Sequence, residues 1–372
     1  MTTIKIGIIG AGYMGKLHAV AMQSVASVFN TPLRPVCEMI CATTDKGAAE
    51  KARALGFRRS TSSWKTLVND PDVEAVIIAS PQSTHHEIAL EAIALGKPVL
   101  CEKPMGASIA QSLAMSDAAE AAGVVNMVGF NYVRTPATQY ARRLIQEGVI
   151  GQMSWFRGEH TEDFYADSQA LASWRTQGRA NGTLGDLSSH MINAALALAG
   201  PIDSLCADVE TVFPERPNAQ GQREPVTNDD HAQCLCRFRS GVMGHLYFSR
   251  VSSGRKMGYA YEVVGSKGAI RFDQEDQNAL WLYKMEGPEA ERGFRKILTG
   301  PAHPDYIHFC LGPGHGTGYQ DQLMIEARDF LAAIHAGSSR WPTFRDGHEV
   351  NRVIQAIWTS HEAKSWVNVG QG

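Results

Sequence analysis

Ile4-Lys5-Ile6-Gly7-Ile8-Ile9-Gly10-Ala11-Gly12-Tyr13-Met14-Gly15 decides the fold. The mostly apolar run 4–9 reads as a strand buried on both faces of a parallel sheet. The glycines after it make a tight turn into a helix predicted over 14–28. Working outward, apolar runs at 36–41, 75–79, 99–101 and 124–128 alternate with helical stretches at 46–55, 85–95 and 108–122, with Gly56 and Gly96 as stops. Such alternation predicts a doubly wound parallel sheet with right-handed crossovers, an α/β domain over residues 1–128.

The periodicity changes over residues 129–372. A helix at 138–147 is followed by a half-buried strand at 153–159 and a helix at 187–199 that stops at Gly200-Pro201. Strands are predicted at 205–212, 230–239, 242–249, 259–264, 269–272 and 280–283, with turns at Gly241 and 265–268. This is an α+β domain with an open, mostly antiparallel sheet, one face covered by helices. Two helices, about 320–336 and 347–365, close the chain. Ahead of them, 286–318 holds Gly, Pro and His without periodicity, as a lid or contact arm does.

Composition narrows the function. The 372 residues are 44% hydrophobic and 20% charged, as in an ordinary globular protein. Net charge is -3 from 35 basic and 38 acidic side chains, with no basic block, which argues against nucleic acid as a partner. No stretch approaches the ~20 apolar residues of a membrane span. The first residues enter a strand without a charged leader, so the expected location is cytoplasmic. The seven cysteines are scattered, and Cys234-Leu235-Cys236 lacks the spacing of zinc or redox sites. Free, mostly buried thiols are expected. His303, His308 and His315 have no ligand spacing, and no metal is expected.

Gly10, Gly12 and Gly15 supply a turn, a bare backbone against pyrophosphate and close helix–strand packing. The helix opening at Tyr13 and Met14 offers N–H groups to phosphate. A dinucleotide is the implied cofactor. The carboxylate that receives the adenosine 2′-hydroxyl is missing from the second strand tip, Ile40-Cys41-Ala42-Thr43-Thr44-Asp45-Lys46. Asp45 looks like a helix N-cap, while Thr43, Thr44 and Lys46 suit a 2′-phosphate. The cofactor is NADP or NAD, with a slight lean to NADP. Glu102-Lys103-Pro104 follows the strand at 99–101, where Lys103 is displayed beside the cofactor. Farther on, Asp186 opens a helix and His190 lies one turn later, so either a carboxylate and an imidazole can reach one hydroxyl together, or the pair is an N-cap aspartate and a satisfied core histidine.

These residues resemble the glucose–fructose oxidoreductase/inositol dehydrogenase/rhizopine-catabolism (Gfo/Idh/MocA) family over the whole chain. The resemblance rests on the glycine loop, Ala79-Ser80-Pro81 with His85, Glu102-Lys103-Pro104, Phe130-Asn131-Tyr132-x-Arg134, Trp174-Arg175 and Gly185-Asp186-x-x-x-His190. Arg292-Gly293-Phe294-Arg295, Thr299-Gly300-Pro301-Ala302-His303-Pro304 and Gly316-x-Gly318-Tyr319 are similar to its levoglucosan dehydrogenase-like sugar-oxidising branch. The resemblance implies an NAD(P)-dependent oxidoreductase acting on a secondary alcohol of a sugar, anhydrosugar or inositol. Lys103, Asp186 and His190 would be catalytic. Ser80, Pro81, His85, Glu102, Asn131, Trp174 and Arg175 would line the cofactor site, and Tyr132, His160 and Tyr319 would touch the sugar. A homodimer or homotetramer is implied. Two other activities fit the same scaffold, a redox-neutral glycoside-processing enzyme and a non-catalytic sugar or dinucleotide sensor.

Overall fold

The computed structural model describes residues 2–370. By contact, residues up to Arg134 group with Gly318–Asn351 in one compact unit, and Thr135–Thr317 group with residues from Arg352 onward in another.

The first unit is built on strands β1 (Thr2–Ile9), β2 (Leu33–Cys41), β3 (Arg59–Thr61), β4 (Ala75–Ile78), β5 (Val99–Cys101) and β6 (Asn126–Val128). All pair in parallel, in the order β3-β2-β1-β4-β5-β6. The chain leaves β1 in one direction and returns on its other side, so the topological switch lies between β1 and β4. Every residue of β4 is buried, as a strand covered on both faces requires. Helices α1 (Tyr13–Val28), α2 (Asp45–Ala54), α3 (Trp64–Asn69), α4 (His85–Ala94) and α5 (Ile109–Ala122) supply the crossovers. Asp45 does not cap α2; Thr44 does, its hydroxyl accepting from the Gly47 N–H at 3.1 Å. A hydroxyl directly before the helix leaves the following aspartate to favour the first-turn dipole instead.

In the second unit, α6 (Pro136–Gln146) leads to β7 (Met153–Thr161), and α7 (Ser189–Ala199) to β8 (Ile202–Glu210). A short hairpin, β9 (Glu215–Pro217) and β10 (Arg223–Pro225), stands apart. Then come β11 (His231–Phe238), β12 (Met243–Ser249), β13 (Gly258–Gly265), β14 (Gly268–Asp273), β15 (Ala279–Lys284), β16 (Arg295–Leu298) and, near the chain end, β17 (Val367–Asn368). Nine strands form one sheet in the order β16-β15-β14-β13-β7-β12-β11-β8-β17. β7 and β12 run parallel, and the other pairs are antiparallel. β11 alternates strictly: Ala232, Cys234, Cys236 and Phe238 face inward while Leu235 points out. The outward face carries Leu235, Met243 and the half-buried Tyr247, Trp155, Trp281 and Tyr283.

The segment 286–318 is not structureless. It contributes β16 to the sheet edge, and its remainder is tied down by bonds within it and to Asn278. The Tyr306 hydroxyl donates to Gly312 O and accepts from the Gly316 N–H, both at 2.9 Å, and Asn278 Oδ1 accepts from the Thr317 N–H at 2.7 Å.

Helix α8 (Tyr319–Ala336) packs along α1 and belongs to the first unit. It is followed by α9 (Phe344–Ala363), whose Phe344 N–H donates to Asn126 Oδ1 at 2.7 Å. All seven cysteines are free, five of them buried. Among the described residues no helix is long and apolar enough to cross a membrane.

Candidate active site

The glycine loop leaves β1 at the carboxyl edge of the parallel sheet. Gly10 has φ +101°, and a Cβ there would lie 2.4 Å from Ala79 O. A Cβ at Gly15 would lie 1.8 Å from Gly10 O, so this glycine lets the helix close on the strand. Gly12 differs, because a Cβ there meets no described atom within 4 Å. Two glycines are demanded by the protein's own packing. Gly12 leaves room for something the chain does not supply. Among the described residues no side chain caps α1, so its first N–H groups face the same space. Both features fit a dinucleotide pyrophosphate.

β5 ends on this same edge, and Lys103, half-buried, follows after Glu102. Glu102 is buried. Its Oε1 lies 2.8 Å from His18 Nε2 on α1, and its Oε2 accepts from the Lys103 N–H at 3.2 Å. His85 is also buried, with Nδ1 3.1 Å from Pro104 O and Nε2 2.9 Å from Ser80 O. It therefore ties the ends of β4 and β5 together, and burial pushes its pKa down. Ser80 Oγ lies 2.7 Å from Thr84 Oγ1, which itself donates to Pro81 O at 2.8 Å, so Ser80 is the donor of that pair.

Beside α1 stands a tyrosine cluster. Tyr13 stacks on Tyr319 with ring centroids 6.5 Å apart, and Tyr132 tilts against Tyr319 at 5.7 Å. Burial, and then the Glu102 carboxylate, push the Tyr319 phenol well above its ordinary pKa, so it acts here as a neutral donor or acceptor. Asn131, expected at the cofactor, spends an amide hydrogen on Gln322 Oε1 at 2.9 Å.

In the second unit the expected helix start at 187 is a π-turn, Leu184–Ser188, and α7 begins only at Ser189. Asp186 sits in this wider turn and His190 in the first turn of α7. Single π-turns of this kind are enriched at functional sites. Asp186 Oδ2 pairs with Arg175 Nη1 at 2.5 Å, and the Arg175 guanidinium lies 4.6 Å over the Trp174 ring, itself exposed. The His190 ring is buried 5.7 Å from that of His160. His160 Nδ1 donates to Leu187 O at 2.8 Å, and its Nε2 lies 3.2 Å from Glu162 Oε1. His160, expected as a sugar contact, is 1% exposed and works as a support beneath the π-turn.

Sequence reasoning missed what fixes that turn. Asp229 holds the turn itself, while Asn228 and, through Arg250, Asp230 hold the backbone of Arg175, the partner of Asp186. Asn228 Nδ2 donates to Arg175 O at 2.9 Å, and Asp229 Oδ2 accepts from the Leu184 N–H at 2.7 Å. Asp230 Oδ1 accepts from Arg250 Nε at 2.8 Å, while Arg250 Nη1 donates to Arg175 O, also at 2.8 Å. Burial pushes the Asp229 carboxyl up to about 6, with Arg250 opposing and Asp230 reinforcing. Two adjacent acids entering an apolar strand were the available signal. His18 and Glu326 were missed too; the signal for His18 was an imidazole on the apolar face of α1.

Comparison with known proteins identifies relatives of the chain. The model of the oxidoreductase family with an NAD-binding Rossmann fold matches residues 4–130, and that of the GFO/IDH/MocA C-terminal domain matches residues 138–271. The levoglucosan dehydrogenase of Pseudarthrobacter phenanthrenivorans is 38% identical, aligned over 100% of this chain and 99% of its own. A structure of levoglucosan dehydrogenase in complex with NADH and levoglucosan superposes with a TM-score of 0.96 at 39% identity, covering all of both chains. The crystal structure of an oxidoreductase domain protein from Kribbella flavida superposes at 0.95 with 36% identity and full coverage.

Proposed function

The chain belongs to the Gfo/Idh/MocA oxidoreductases with an NAD-binding Rossmann fold, and on that premise we propose that it oxidises a secondary alcohol of an anhydrosugar such as levoglucosan, or of a closely related polyol. One observation carries this reading. Gly12, with open space where its side chain would be, and Lys103 stand on the same carboxyl edge of one parallel sheet, on either side of its switch point. Ligands bind at that edge in sheets of this order.

The dinucleotide, when bound, supplies the hydride acceptor. Gly10, Gly12, Gly15 and the N–H groups of Tyr13 and Met14 would hold its pyrophosphate, and Ser80, Pro81, Trp174 and Arg175 would be its further contacts. Lys103 donates a hydrogen bond to the substrate hydroxyl oxygen and stabilises the negative charge that develops there. His190 accepts the hydroxyl proton. Asp186, oriented by Arg175, binds a neighbouring hydroxyl, and Tyr132 and Tyr319 contact the ring.

At the adenosine end Thr43, Thr44, Asp45 and Lys46 are all exposed. The Thr44 hydroxyl accepts from Gly47 but keeps its own proton for donation. With no carboxylate at the strand tip, this end accepts NADP as well as NAD, with Thr43, Thr44 and Lys46 receiving the 2′-phosphate. The outward sheet face, with Leu235 and Met243 more than half exposed or close to it (57% and 50%), packs against a second copy of the chain.

Screening anhydrosugars, aldoses and inositols with NAD and NADP, by absorbance of the reduced nicotinamide, tests the reading. Turnover of levoglucosan or a related polyol with release of reduced cofactor is expected. Tight cofactor retention without net reduction on any of them refutes it in favour of redox-neutral chemistry.

A further inference from the structure

The helix that follows the glycine loop and the strand that leads to Lys103 are joined by a buried contact, His18 Nε2 to Glu102 Oε1 at 2.8 Å. Both side chains are nearly inaccessible, with 1% and 5% exposure. Glu102 divides its oxygens, one on His18 and the other on the Lys103 N–H. Glycine at 129 leaves room for the carboxylate, because a Cβ there would lie only 3.0 Å from Oε1. A buried carboxylate persists only when paired and hydrogen-bonded, and here the partner comes from α1. Burial pulls the His18 pKa down, but the Glu102 hydrogen bond and charge outweigh it, with Glu326 of α8 adding to them, and the net shift is upward. Facing the pair are Glu326, whose carboxyl burial pushes up to about 7, Arg134, which approaches Glu326 at 3.5 Å, and the Tyr319 phenol.

We infer that His18 is a positioning residue: through Glu102 it fixes the Lys103 main chain relative to α1, so that seating the dinucleotide on the helix and aiming the lysine are one event. The inference deepens the reading above and rests on the role given there to Lys103. His18 touches neither cofactor nor substrate in this scheme. It sets the height from which the lysine side chain starts, and a displacement of about 1 Å at a reacting group costs on the order of 100-fold in rate.

The test uses the full chain with levoglucosan and NAD as probes, and NADH binding followed by fluorescence. His18→Leu removes the contact, and His18→Gln keeps an N–H that reaches Glu102. In His18→Leu, kcat is expected to fall roughly 30- to 100-fold, while the NADH Kd and the levoglucosan KM stay within about threefold. His18→Gln is expected to recover most of the lost kcat, which a purely structural role does not require. Because leucine leaves Glu102 Oε1 without its His18 partner, His18→Leu/Glu102→Gln serves as the neutral counterpart. It is expected to turn over no more slowly than the worse single variant, since two residues acting through one contact are not additive.

Wild-type kcat in His18→Leu or in the double variant, or equal losses in His18→Gln and His18→Leu, overturns the inference. Lys103→Ala, run alongside, separates it from the reading beneath. Full turnover in Lys103→Ala overturns the role of the lysine. Its loss there, with wild-type turnover in the His18 variants, overturns the positioning role alone.

Discussion

Replacing Asp229 by asparagine should remove a pH dependence that the wild-type fold carries. The Asp229 carboxyl is 1% exposed; its Oδ2 accepts from the Leu184 N–H, and its Oδ1 has no partner among the described residues. Burial raises its pKa from 3.8 to about 6. The native state therefore holds a proton that the unfolded chain has released between those values. Stability is highest below the unfolded pKa, falls as pH rises through the window, and has lost its full share above about pH 7. The shift corresponds to about 3 kcal/mol at 1.36 kcal/mol per unit, of which about 2 kcal/mol falls between pH 4.5 and 7.5. Asparagine keeps an acceptor for the Leu184 N–H and does not titrate. Its absolute stability also reflects how its amide hydrogens fit beside Gly182, but that offset is independent of pH. Urea unfolding of both proteins at pH 4.5 and 7.5 isolates the titrating part. The difference in unfolding free energy should move by about 2 kcal/mol in favour of Asp229→Asn on going to the higher pH. A difference that stays constant within about 0.5 kcal/mol refutes the assignment of a buried carboxyl with a raised pKa at the π-turn.

Lys103→Ala and His190→Ala should each lower levoglucosan turnover by at least ~100-fold with the fold retained, read by steady-state kinetics beside circular dichroism. Gly12→Val should weaken NADH binding more than tenfold, measured by fluorescence titration, without a large change in Tm, because no described atom stands within 4 Å of its Cβ. Gly15→Ala, aimed at Gly10 O from 1.8 Å, should instead lower Tm. Leu235→Glu with Met243→Glu should shift the sedimentation coefficient to that of a monomer, since both place charge on the outward sheet face.

The first unit was legible because burial on both faces leaves strands apolar without interruption, and because glycine marks the helix ends. β3 escaped, being three residues of intermediate burial, Arg59–Thr61, with no apolar run. β16 escaped for a related reason: Arg295–Leu298 is a mostly exposed edge strand, where hydrogen bonds alone define the element. The π-turn at Leu184–Ser188 was invisible because its buried Leu184 and Leu187 suit an α-helix equally well. At the site, contiguous motifs were readable: the glycine loop, Glu102-Lys103 and Asp186 with His190. Contacts between distant segments were not. His18 and Glu102 are 84 positions apart, and Asp229 meets Leu184 from 45 positions away. Thr44 displaced Asp45 as the cap because both are good caps and only the backbone chooses between them.

Helix α8 has a consequence for how the chain is made. It packs along α1, its Gln322 accepts from Asn131, and its Asp329 meets Arg134, yet residues 135–317 come off the ribosome before it does. At ordinary elongation rates that interval is roughly ten to forty seconds. Throughout it, the face of α1 that α8 covers is bare on the nascent polypeptide, and the dinucleotide-binding half cannot finish folding by itself. A truncated messenger ending before codon 319 should therefore yield aggregates or chaperone-bound fragments, even though every strand of the parallel sheet has already been translated.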